Sequence, residues 1–178
     1  YDTNTATSSA FIQQRNKIDS KAFEYLFNSF NDCFKRTKKF KDYYLLAVDG
    51  SKITYNANSV DKEYYFQNNK NAKGFCQAHL NALYDLLSRR YVQVSIEPGR
   101  AFNENKSFYD FVDNYGNADK TIFIADRNYE AYNSFAHCIE NNQKFVIRAK
   151  DSTFRSILSS LVLPDSNEFD VDITLKLT

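Results

Sequence analysis

The chain has 178 residues, 23 Lys and Arg against 22 Asp and Glu, and a formal net charge of +1; 43% of it is hydrophobic, with 16 Phe and 13 Tyr prominent. That is enough apolar material for one domain with a real core, and the even charge balance gives no general electrostatic case for a nucleic-acid binder, so any basic surface has to be local. Cys33, Cys76 and Cys138 form no CxxC pair, which disfavours zinc and dithiol redox chemistry, and neither a signal peptide nor an apolar run of membrane-spanning length occurs.

Residues 1–19 begin polar and small. Ser20 reads as an N-cap, and Phe23, Leu26, Phe27, Phe30 and Phe34 recur at helical spacing, so 20–36 is expected to be an amphipathic helix. A basic connector, "KRTKKFK", follows. Tyr43 to Val48 is a continuous apolar run, expected as a central strand ending at Asp49. The polar, Asn-rich residues 54–72 are expected to form a long loop. Cys76, Ala78, Leu80, Ala82, Tyr84 and Leu86 then alternate, and Val92, Val94 and Ile96 continue the period of two after "SRR". That pattern predicts an antiparallel hairpin.

Asn103 can cap a helix carrying Phe108, Phe111, Val112 and Tyr115. "TIFIAD" (121–126) is a short β-branched run that delivers a carboxylate at its end. Tyr132, Phe135 and Ile139 mark another helix, "KFVIRAK" (144–150) a third apolar strand, and Phe154, Ile157, Leu158 and Leu161 a last helix. Phe169, Val171, Ile173, Leu175 and Leu177 alternate as a half-buried strand whose partner is missing from the sequence. With the absence of Met and the start at Tyr1, this tail makes the chain read as a piece of a longer protein.

A hairpin after the first strand, followed by βαβ crossovers, is the plan of a ribonuclease H-like α/β domain: a mixed sheet with helices on both faces. The expected organisation is a lead-in and helix over 1–42, the core over 43–161, and the start of a truncated β-rich insertion over 162–178. In this plan the strands ending at Asp49 and Asp126 are parallel neighbours. Two close carboxylates repel. A divalent cation, Mg²⁺ or Mn²⁺, removes that conflict and leaves coordination sites for phosphate, and a pair of ions suits in-line phosphoryl transfer. The plainer readings are a salt bridge or helix cap for Asp126 and a turn residue for Asp49.

The sequence also resembles the DDE-type insertion-sequence transposases, in the branch with a Tyr-Arg-Glu-Lys third-acid signature. "LLAVDGSKI" (45–53) is similar to their first-aspartate strand, and "IADRNYEAYNSFAH" (124–137) to their second-aspartate motif. "SSAFIQQRNKI" (8–18), "EPGRAFNENKSFYDFVD" (97–113) and "FVIRAKD" (145–151) fit the segments around them. The resemblance implies that Asp49 and Asp126 are the first two catalytic acids and metal ligands. It also implies DNA as partner, cleavage and strand transfer at transposon ends, action as a dimer and a cytoplasmic, nucleoid-associated setting. The third acid, a glutamate, should follow the insertion. No Tyr-x-x-Arg-x-x-x-Glu pattern occurs here, and Glu168 is not assigned, so this piece is expected to be catalytically incomplete.

Arg127, Arg148 and Lys150 flank the acids and are candidates for DNA-backbone contacts, as are Lys38 and Lys39 of the basic connector. Each is also explained by ion pairing or a solvated loop. His79 and His137 read as solvated or hydrogen-bonded structural histidines. Two other classes compete: a folded DNA-binding remnant without chemistry, and a phosphoacceptor receiver, whose wholly parallel sheet conflicts with the 76–96 hairpin. A haloacid-type phosphatase is weaker still, because Ala47 stands where its second acid is needed.

Overall fold

The computed structural model describes residues 7–15, 17–56, 61–115, 119–150, 157–166 and 168–174. Contacts divide the chain into two units, Tyr1–Thr37 and Lys38–Thr178.

The first unit holds α1 (Ser8–Arg15) and α2 (Lys21–Asp32). The amphipathic helix expected over 20–36 is α2, shorter at its end. Ser20 already has helical backbone angles and makes no capping bond. Asp19 does that work instead, its Oδ1 accepting from the Lys21 amide at 2.9 Å. Beyond Cys33 come Lys35, Arg36, Lys38 and Lys39, whose like charges at helical spacing oppose further winding.

The second unit is built on a six-stranded mixed sheet of order β2-β3-β1-β5-β6, with β4 also paired to β3. Its strands are β1 (Tyr44–Asn56), β2 (Tyr65–Phe66), β3 (Phe75–Asp85), β4 (Arg90–Pro98), β5 (Thr121–Ala125) and β6 (Lys144–Ile147). The 76–96 hairpin is present as β3 and β4. Two expectations are corrected. The first strand does not stop at Asp49: β1 runs on to Asn56, because β3 supplies an antiparallel partner for every residue from Leu46 to Asn56. The expected 54–72 loop therefore starts inside β1 and contains β2.

Helices α3 (Glu104–Tyr115) and α4 (Tyr132–Glu140) sit in the β4–β5 and β5–β6 crossovers. Asn103 caps α3 as expected, accepting from the Lys106 amide at 3.1 Å. Both helices pack on the sheet face bearing Leu46, Val48, Leu83 and Phe123, where Phe108, Phe111, Val112 and Cys138 complete the core. Right-handed crossovers explain this shared side. β4, β5 and β6 run in the same direction and follow one another across the sheet, so successive connections of the usual right hand place their helices on one face. The opposite face carries Leu45, Ala47, Ile122, Ile124 and Val146.

After β6 the chain departs from the expected elements. Among the described residues a 3-10 turn, Ile157–Ser160, stands where a last helix was expected; residues 151–156, with Phe154, lie outside them. Residues 169–174 are not in a ladder, and 175–177 lie outside the described residues. An alternating sequence becomes a strand only when a neighbour takes its hydrogen bonds.

Cys138 is fully buried in the core, and burial, helped by the Asp113 charge, pushes its thiol up to about 12. Cys33 is exposed and Cys76 buried. Thiol titration of the native chain with an aromatic disulfide should therefore modify Cys33 rapidly and leave Cys138 unmodified until the protein unfolds. The same shift predicts a pH effect. The folded state holds the Cys138 proton more tightly than the unfolded state, whose thiol has a value of 9.0. Its contribution is complete below pH 9 and is lost as pH rises towards 12. Urea unfolding across that range should show a falling midpoint, with a smaller fall in Cys138→Ala.

Candidate active site

β1 and β5 pair in parallel from Tyr44↔Thr121 to Ala47↔Ile124. Two residues further along each strand stand Asp49 and Asp126, so continuing the register sets them side by side. Leu46 with Phe123 and Val48 with Ala125 turn into the core, which leaves Asp49 and Asp126 on the alternate, solvated positions. A carboxylate there keeps its hydration, which answers the cost of ending a buried strand in an acid.

Each acid is oriented by one backbone amide. Asp49 Oδ1 accepts from Gly50 N at 2.9 Å. Asp126 Oδ1 accepts from Asn128 N at 2.8 Å and caps the 3-10 turn Arg127–Tyr129. The cap reading of Asp126 thus holds locally, while Asp49 lies within a strand and not in a turn. Neither carboxylate has an ion pair among the described residues. No three His, Cys, Asp or Glu side chains among the described residues are arranged to hold a metal by themselves.

Gly50 is a packing requirement. A Cβ there would sit 2.6 Å from His79 Cε1 and 3.1 Å from Asn81 Oδ1. The imidazole cannot swing away, because it stacks on Phe102 at 4.0 Å and its Nε2 donates to Glu104 at 3.0 Å. Gly50→Ala should cost about 1–3 kcal/mol, the usual range for an overpacked site. Chemical denaturation measures it, and a loss within error would show that the strand pair gives way freely.

His79, read from the sequence as a solvated or hydrogen-bonded structural histidine, is of the hydrogen-bonded kind. It is 1% exposed, and the face it shares with Asn81, Leu83 and Asp85 is the one buried against α3. Polar side chains are tolerated there because each has a partner. Asn81 Nδ2 donates to Ser107 Oγ at 3.0 Å, and Asp85 Oδ1 accepts from the Leu87 and Ser88 amides at 3.0 and 2.9 Å. Ser107 in turn donates to Glu97. The apolar set Leu80, Ala82 and Tyr84 lies on the other face. With Asp49, Arg90 and Tyr91 it lines an open groove of about 550 Å³. His137 is a structural histidine as expected, stacked on Tyr109 at 4.5 Å and bonded to Asp113 at 2.9 Å.

The basic candidates separate. Arg127 follows Asp126 directly. The Arg148 amide donates to Ala125 O at 3.1 Å, and the Lys150 amide to Glu130 Oε2 at 2.7 Å. These three belong to the carboxyl end of the parallel strands, with the acids. Lys39 does not: its Nζ lies 3.8 Å from Asp119 and 4.6 Å from the Tyr44 ring, at the start of β1. Five residues of strand, roughly 16 Å, separate Tyr44 from Asp49. Lys38 precedes it at the same end.

Two features escaped the sequence reading. One is the basic and aromatic end of the groove, where Arg89, Arg90 and Tyr91 line it together with Asp49. The other is Tyr129, which is 2% exposed beneath Phe108 at 5.6 Å. Burial first, then the charges of Glu104, Asp49 and Asp126, hold the proton on its hydroxyl far above the usual phenol range. Only the fold brings these three acids to one tyrosine.

No helix among the described residues is long and apolar enough to cross a membrane. No curated protein matches the chain in sequence. A family profile described as Transposase DDE domain matches residues 40–161, which spans β1 to the end of the 3-10 turn after β6 and includes both Asp49 and Asp126. The match covers well over half of the chain, and its mixed α/β architecture is that of a ribonuclease H-like domain: the chain belongs to the DDE transposase domain family.

Proposed function

We propose that Asp49 and Asp126 together hold a divalent cation, Mg²⁺ or Mn²⁺, and that the site cleaves and joins DNA strands at transposon ends. The observation that carries this is the register of β1 and β5, which brings two solvated carboxylates from distant parts of the chain to adjacent strand positions. The donor set fits such an ion. Both are hard oxygen ligands, each has one oxygen fixed by a backbone amide, and the other oxygen of each makes no hydrogen bond among the described residues. A second ion belongs to the complete site. When bound, the ions supply charge neutralisation at the reacting phosphate and activate the attacking hydroxyl.

The chain's own residues do the rest. Asp49 and Asp126 fix where the phosphate sits. Arg127, Arg148 and Lys150 line the same end and offer cations to neighbouring phosphates. The groove along the open sheet face, from Asp49 to Arg89 and Arg90, gives the DNA backbone a path away from the acids. The third acid is assigned to a glutamate in sequence beyond these 178 residues, so strand cleavage is expected of the longer protein, acting as a dimer, and not of this piece.

Mn²⁺ titration followed by NMR tests the reading. The Gly50 and Asn128 amide signals should broaden first and together. Broadening centred elsewhere, or none, would leave a DNA-binding remnant without chemistry as the better account.

A further inference from the structure

Glu104 opens α3, far from both aspartates in sequence, yet the fold carries it to their side. The link runs through packed groups. Gly50, next to Asp49, lies against the His79 ring. His79 is clamped between Gly50 and Phe102 and donates from Nε2 to Glu104 Oε1 at 3.0 Å. α3 also packs on the 3-10 turn that follows Asp126. Glu104 therefore has one oxygen committed to a buried imidazole, with its side chain 28% exposed.

An independent observation marks a ligand position here. Tyr129 is almost entirely buried, and its hydroxyl has no hydrogen-bond partner among the described residues. Leaving a buried hydroxyl without a partner is unfavourable. Tyr129 lies on the turn that follows Asp126 and on which α3 packs, and the charges of Glu104, Asp49 and Asp126 all act, after burial, to hold its proton in place. A buried phenol oxygen without a partner, under the influence of acidic neighbours, calls for a hydrogen-bond donor that tolerates negative charge. Water held by a cation is such a donor, because its oxygen faces the metal and its O–H groups face outward, to the hydroxyl oxygen and the carboxylate.

We propose that Glu104, positioned by His79, is an outer carboxylate of the site: it and the Tyr129 hydroxyl bind the water shell of the divalent cation held by Asp49 and Asp126. Direct ligation by all three acids is not the arrangement, since among the described residues no three such side chains are placed to hold one ion. Mg²⁺ and Mn²⁺ retain several waters, and hydrogen bonds to such waters orient the ion without displacing them. Glu104 is on this account a positioning residue, distinct from the glutamate assigned to the sequence beyond. The inference rests on the cation reading of Asp49 and Asp126.

The experiment uses the chain itself and MnCl₂ alone, with free Mn²⁺ counted by electron paramagnetic resonance and folding followed by thermal melts. Wild type should bind, and Asp49→Asn should abolish binding. Glu104→Gln keeps the size and the acceptor for His79 while removing the charge, and should weaken Mn²⁺ about 10-fold, the lower end of outer-shell effects. Tyr129→Phe should weaken it by a smaller factor. Melting temperatures of both variants should stay close to wild type, since a merely structural Glu104 would move the melt and leave the ion alone. Wild-type affinity in both variants would overturn the proposal while leaving the aspartate site intact. Absence of binding in wild type would remove the site and this inference with it.

Discussion

Asp49→Asn or Asp126→Asn in an active transposase that carries this domain is expected to abolish divalent-cation-dependent strand cleavage, by at least about 10³-fold, the upper end for loss of one electrostatic stabiliser. DNA binding should persist, because the cationic side chains at this end of the sheet are untouched. Asparagine is the informative replacement. Its side-chain oxygen can still accept from Gly50 N or Asn128 N, so the backbone around each position keeps its bond. Asp126→Ala mixes two losses: the charge, and a cap worth about 0.5–2 kcal/mol. The Asn variants should melt at or above wild type, since two adjacent uncompensated carboxylates repel and removing one relieves that strain. Cleavage at the wild-type rate in either Asn variant would refute the assignment. A gel assay on labelled transposon-end DNA with Mg²⁺ or Mn²⁺, beside a binding assay without metal, separates the two functions.

Much of this arrangement was legible in the sequence. The apolar runs at 43–48 and 121–126 are strands because continuous β-branched and aliphatic residues suit positions buried against helices. Their order, with the hairpin between them, fixed the parallel neighbours and so the pairing of the two aspartates. What was missed follows one physical rule: a residue's environment depends on its partner strand. β1 runs past Asp49 through Ser51, Lys52 and Thr54 because β3 takes its hydrogen bonds, although the side chains carry no strand pattern. The reverse holds at 169–174, where perfect alternation makes no strand without a neighbour. β3 misled most. Alternation there selects the apolar residues Leu80, Ala82 and Tyr84 for the core, but α3 covers the polar face, where Glu104 and Ser107 satisfy His79 and Asn81. No period detects that exchange. Glu104 and Tyr129 stayed invisible for the same reason, and local charge alone does not show that Lys39 lies near the start of β1, away from Asp49.

Phe123→Ala should be the most destabilising single change in the core, by about 3–5 kcal/mol, the range for deleting a buried aromatic ring. Phe123 is fully buried at the centre of β5, flanked by Leu46 on β1 and Phe145 on β6. Its ring meets Phe108 edge-on at 6.1 Å and Tyr115 at 5.9 Å. Those partners come from α3, so the ring joins the helix to the strand that carries Asp126. Partners held by two other strands and a helix cannot collapse into the space, which keeps the cavity term large. Against a total stability of about 5–15 kcal/mol such a loss leaves little reserve. Val146→Ala is the matched control: Val146 lies on neighbouring β6 but is 60% exposed, so its loss should stay within about 0.5 kcal/mol. Urea denaturation should show a lower midpoint for Phe123→Ala at an unchanged slope, the signature of lost packing without a changed unfolded state. A cost below about 1 kcal/mol would mean that α3 and β5 are not joined through this ring. The support under Asp126 would then have to come from the sheet alone.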